Sequence, residues 1–140
     1  MTTRAELSAA EAYEHGHTAL MRAALDGNTE TVRELIQQGA DINQRDHNGR
    51  TALMFAVMNM HYETMKVLLE DGADVQTRST DGGTALMAAA GMAGDLRMVQ
   101  ALLDRGADVH ARLRETNETA LTFAEKYGRP EIAQLLRQLD

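Results

Sequence analysis

The chain has 140 residues, enough for one compact domain. A formal charge of −7 and the absence of cysteine disfavour nonspecific binding to nucleic acid or anionic membrane and exclude disulfides and thiolate metal sites. Aromatic residues make up only 4% and there is no Trp, so the core must be built from Leu, Ala, Val, Ile and Met, small side chains suited to closely spaced helices.

The N-terminal stretch MTTRAELSAAEAYEHG contains one early Arg and no apolar core of a signal peptide. No apolar run approaches membrane-spanning length, and cytoplasmic placement is the expectation. Ser8 and Glu11 form an S-x-x-E capping box, which predicts a short helix near residues 9–14 within an N-terminal extension, residues 1–15. TALM then begins at Thr18, recurs at Thr51 and Thr84, and returns as TALT at Thr119, at steps of 33, 33 and 35 residues. A fixed period of this size marks stacked structural units.

Each unit reads as two helices and a polar finger. TALMRAAL is a first helix that stops at Gly27, a residue free to take a positive φ. TETVRELIQQ follows, with Val32, Leu35 and Ile36 on one helix face. Met65, Leu68 and Leu69 repeat that face, as do Val99, Leu102 and Leu103, and finally Ile132, Leu135, Leu136 and Leu139. GAD closes the second helix at Gly39, Gly72 and Gly106, and is followed by INQRDHNGR, VQTRSTDGG and VHARLRETNE. These stretches open with a β-branched residue and are rich in turn formers, so they read as extended, hairpin-like fingers.

This pattern, T-x-L opening and G-A-D closing a 33-residue unit, resembles the ankyrin repeat, whose signature is T-P-L-H-x-A. The resemblance covers residues 16–140, in units of about 16–48, 49–81, 82–116 and 117–140. It implies an all-α solenoid of four stacked helix-turn-helix units with hairpin-like fingers, the fingers and first helices lining a concave face. Each Thr is expected to cap a helix, and Leu20, Leu53, Leu86 and Leu121 to enter a core shared between units. The chain departs from the family by writing Ala for Pro and Met or Thr for His. Met21, Met54 and Met87 therefore replace an inter-unit hydrogen-bonding residue with soft packing. Met60 stands where the family places a helix-ending Gly, so either Met60 is strained or Asn59 takes the special dihedral, at a cost of about 1–2 kcal/mol for a non-Gly residue. The third unit has one extra residue near AAGMAG and another in ARLRETNE. Arg22 and Arg137 give the terminal units polar faces.

Catalytic and metal chemistry find no support in the residue pattern. His15 and His17 lie two apart in a turn, His47, His61 and His110 are scattered, there is no HExxH, and a structural zinc needs four ligands. The two Ser, Ser8 and Ser79, lie outside G-x-S-x-G. No cofactor and no catalytic residue are expected. Asp41, Asp74 and Asp108 recur with the fold and read as structural. More informative is Arg45, Arg78 and Arg112, in one register of successive fingers with Arg50 and Arg114 nearby. They form either a groove for an acidic peptide or surface, using arginine's planar fork, or a row of solvated finger residues. A second, apolar group is Met58, Met60, Tyr62, Met92 and Tyr127, at first-helix ends, which could anchor a partner or tuck between units.

The resemblance implies a protein-binding module, an adaptor, scaffold or inhibitor without catalysis. Its contacts would come from Arg45, His47, Asn48, Arg50, Arg78, Thr80, Asp81, Arg112, Arg114 and Glu115 on the fingers, and Met58, Asn59, Met92, Lys126 and Tyr127 at helix ends. The alternatives are a permanent subunit of a larger assembly, or a small-ligand or nucleic-acid binder, the last disfavoured by charge.

Overall fold

A computed structural model describes residues 14–139. The expected helix at 9–14 falls outside these residues, apart from Glu14, which opens a short 3-10 turn, Glu14–Gly16. Four helix pairs follow. The first helices are α1 (Ala19–Asp26), α3 (Ala52–Met58), α5 (Ala85–Ala88) and α7 (Ala120–Lys126); the second helices are α2 (Thr29–Gln37), α4 (Tyr62–Glu70), α6 (Leu96–Asp104) and α8 (Pro130–Gln138). First helices pack in series, α1 on α3, α3 on α5 and α5 on α7, and second helices do the same. The result is an all-α repeat solenoid, with no strand among the described residues.

The repeated tetrapeptide performs the capping job its sequence suggests. The hydroxyls of Thr18, Thr51, Thr84 and Thr119 accept from the backbone N–H three residues on, which satisfies one orphan donor of each first helix. Leu20, Leu53 and Leu86 are buried at 2%, 1% and 1% exposure. Leu121 is only half-buried, because among the described residues no further unit covers it. On the second helices Val32, Leu35, Met65, Leu68, Val99, Leu102, Ile132 and Leu136 are all buried. Leu139 lies past the end of α8 and is 47% exposed, outside the apolar face proposed for it. Met21, Met54 and Met87 are buried between units as soft filling.

The turns between paired helices differ. Gly27, Gly94 and Gly128 take positive φ, and so does Met60, at φ 64, while Asn59 stays at φ −100. The strain therefore falls on Met60 itself, with its side chain in solvent. In the third unit the added residue does not lengthen the turn. It enters the helix: Ala89–Ala93 form a π-helical turn continuing α5, closed by Gly94 N–H donating to the Ala89 carbonyl. A single inserted residue shifts the bond from four residues apart to five, the usual origin of a π-bulge. The π-turn's carbonyls are bonded by the next unit. Arg129 Nε donates to the Gly91 carbonyl at 3.2 Å and Nη2 to the Met92 carbonyl at 3.4 Å.

Candidate interaction surface

The fingers are turns closed by short backbone pairs. Asp46 N–H donates to Arg50, Ser79 N–H to Gly83, and Leu113 N–H to Glu118, all through main-chain carbonyls. In the first two, Gly49 N–H and Gly82 N–H close a tight turn on Asp46 and Ser79. In the third the extra residue widens the loop, so Asn117, at φ 61, takes the left-handed place and donates to Leu113.

Successive fingers are joined through the main chain. Thr80 N–H donates to the Asn48 carbonyl at 2.9 Å and Arg114 N–H to the Asp81 carbonyl at 2.9 Å. His47 N–H donates to the His15 carbonyl at 2.8 Å, and His15 stands 33 residues before Asn48. The stretch His15–His17 is thus a fragment of a finger in register with the others, which the sequence showed only as two His in a turn. A Cβ on Gly82 would sit 3.0 Å from the Arg112 carbonyl oxygen and 3.1 Å from Arg114 N, so this junction requires glycine for space as well as for its φ of 91.

Side chains reinforce the same junctions. The Asn43 amide takes an N–H from Asp74 at 2.8 Å and gives one to the Gly72 carbonyl at 3.2 Å. Gln76 brackets Asp108 and Gly106 in the same way. These amides supply the inter-unit polar links that Met in the tetrapeptide cannot, and His61 adds another, its Nε2 lying 2.9 Å from the Leu25 carbonyl. The aspartates of GAD form local turns: Asp41, Asp74 and Asp108 each accept from the N–H two residues on.

The Arg register is structural as well as exposed. Arg45 Nη2 donates to the Arg78 carbonyl at 2.7 Å, Arg78 Nη2 donates to the Arg112 carbonyl, and Arg78 Nε donates to Gly82 in its own finger. Arg112 Nη1 reaches only its own finger, donating to the Asn117 carbonyl at 3.4 Å. All three stay exposed. Their bonds go to neutral carbonyls, which leave the positive charge uncompensated.

Arg50 behaves differently. It is half-buried, pairs with the buried Asp46 carboxylate at 3.0 Å and lies 4.9 Å over the Phe55 ring. Asp46 was not singled out from the sequence, yet it organises the first finger. It accepts from Asn48 N–H, Arg50 N–H and Arg50 Nε, and His17 Nε2 lies 3.3 Å away. Burial pushes its carboxyl pKa up, but the hydrogen bonds from Arg50 and Asn48 outweigh this and hold it below the ordinary range. Asp81 is also held low, chiefly by the Ser79 hydroxyl beside it.

His47, Asn48, Thr80, Asp81, Arg114 and Glu115 are exposed at or near the finger tips. At the far ends of the first helices, about 10 Å away over seven residues, Asn59, Met92, Lys126 and Tyr127 are exposed. Met92 and Tyr127 are 51% and 47% exposed, and the Tyr127 ring and Phe123 lie against Gly91, the residue before Met92 in the π-turn. Met58 is half-buried against the core, and Asn59 Nδ2 donates to the Phe55 carbonyl. Lys126 pairs with Glu118 at 3.2 Å. Tyr62 is half-buried on the other side, with the Arg97 guanidinium 4.3 Å over its ring.

Among the described residues no group of His, Asp and Glu is arranged to hold a metal ion, and no helix is long and apolar enough to cross a membrane. Stacked helix pairs joined by bonded fingers define a helical repeat protein. A family model described as ankyrin repeats (3 copies) matches residues 4–79 and 76–140, and the chain belongs to that family. No curated protein matches the sequence significantly. Ankyrin repeats are in general protein–protein interaction modules.

Proposed function

We propose that this chain is a non-catalytic adaptor, scaffold or inhibitor that docks a folded protein on the face formed by its fingers and first helices. The observation that carries the reading is the register Arg45, Arg78, Arg112. Three exposed guanidiniums are fixed in orientation by backbone carbonyls and carry charge that those carbonyls do not neutralise. Fixed cations attract an acidic surface without the entropic cost of ordering long side chains at binding. Arg114 and Glu115 extend the polar rim, while Met92 and Tyr127 offer the apolar anchors on which binding energy concentrates. A specific contact needs about 800 Å² per partner, which four units can present.

The test is affinity capture from cells followed by quantitative binding of the recovered partner. Arg114→Glu, at a finger tip, and Tyr127→Ala, at an exposed ring, are each expected to weaken the complex about tenfold or more, with circular dichroism unchanged. Undiminished binding by both variants would refute this face as the docking site.

A further inference from the structure

The finger ladder has two ends, and they are not equivalent. At its start the first finger is covered: His15 accepts from His47 N–H in the same register in which Asn48 and Asp81 accept from the fingers that follow them. At its finish, among the described residues, no finger follows the third. Arg45 and Arg78 each reach forward to a main-chain carbonyl of the next finger. Arg112 keeps the bond within its own finger, as Arg78 does to Gly82, and has no next finger to reach. Beside it lies a recess of about 150 Å³ lined by Val109, Leu121 and Leu136 and, on its polar side, by Arg112, Thr119 and Thr122. Leu121 is only partly buried there, whereas Leu53 and Leu86, its counterparts under a following unit, are 1% exposed.

We infer that the outer edge of the third finger is a docking site for an extended peptide segment of a partner protein, which would add to the ladder in the place of a further finger. Its main-chain carbonyl would accept from Arg112, its N–H would pair with the Glu115–Thr116 edge, and a small side chain with a methyl and a hydroxyl, such as Thr, would enter the recess between Leu121 and Thr122. The recognition is backbone-directed, as in peptide addition to a sheet edge, with main-chain bonds supplying affinity and one side-chain pocket supplying selectivity. Continuity with the existing junctions argues for that occupant, since two inter-finger contacts already show the geometry and the His15–His17 fragment shows that a stretch of a few residues is enough to satisfy a finger edge. A second copy is a poorer fit. Its first finger is already covered by its own His15, and two chains of charge −7 repel. The inference shares Arg112 and Glu115 with the concave-face reading but is tested apart from it, because the probe below contains no folded partner.

The probe is a synthetic peptide of residues 109–118, the stretch that pairs with the second finger within the chain, titrated into the full isotope-labelled protein and followed by NMR. Saturable shifts are expected at Arg112, Glu115, Thr116 and Leu121. Arg112→Gln in the protein is expected to weaken binding about tenfold, and Arg114→Pro in the peptide to abolish it by removing the pairing N–H. The peptide variant keeps the test intact should the protein variant lose stability. Absence of saturable shifts, shifts confined to other surfaces, or binding that survives both substitutions would overturn the inference. So would concentration-dependent association without peptide that moves the same signals, which would give this edge to a second copy.

Discussion

The second and fourth units begin with nearly the same words, TALMFAV and TALTFAE, yet their leucines have different environments. Leu53 is sealed between neighbours at 1% exposure, while Leu121, at the outer end of the stack, is only partly buried. Position in the array, not the local phrase, sets how much apolar area each leucine removes from water. A repeat protein's stability is a sum of unit and interface terms, and the terminal unit lacks one interface.

The largest consequence is for core truncation. Leu53→Ala is expected to cost about 3–5 kcal/mol and Leu121→Ala about 1–2 kcal/mol, since the second loses less buried area and leaves no closed cavity. Urea unfolding of both variants measures this, and equal costs would break the comparison.

A second contrast separates the first finger from the third, where Leu113 takes the place of Asp46. Asp46→Asn is expected to cost about 1–3 kcal/mol at neutral pH through weakened bonds to Arg50 and the finger backbone. The native carboxyl titrates below its ordinary value, so its stabilisation is present above the unfolded pKa, near 4, and is lost as pH falls through the lower folded value. An acid unfolding series should therefore show the variant losing less stability than the native chain below about pH 4. Parallel curves would assign acid sensitivity elsewhere.

The smallest effect concerns the helix-pair turns, where unit two has Met60 and the others have Gly. Met60→Gly relieves about 1–2 kcal/mol of left-handed strain and gives back about 0.5–1 in unfolded-state entropy. A gain near 0.5–1 kcal/mol is expected from the urea midpoint, because the exposed Met side chain leaves little packing to lose.

What the sequence made legible was whatever the repeat writes again and again: the capping threonines, the leucines beside them and the second-helix faces in all four units, and the glycine stops in most. The candidate docking residues were legible as exposed finger positions, but their attachments were not. That Arg45 and Arg78 grip the next finger's carbonyls depends on inter-unit distance, which no local pattern encodes. Asn43 and Gln76 looked like ordinary turn residues because their partners lie about thirty residues away in the following finger. Asp46 occurs in one finger only, so periodicity hid it. At the second turn the sequence offered Asn59 or Met60, and the backbone placed the strain on Met60, because the bond from Met60 N–H to the Val57 carbonyl and that from His61 N–H to Ala56 close the helix around it.

The π-turn in the third unit means that a letter added to the text need not move the rest of the sentence. The surplus residue is absorbed as a local swelling, locked from the next unit by Arg129, and both flanking helices keep their partners. A chain built this way can carry one more residue at a seam and still assemble in phase, because the buried alanines of Ala89–Ala93 are small enough to keep both neighbours in place.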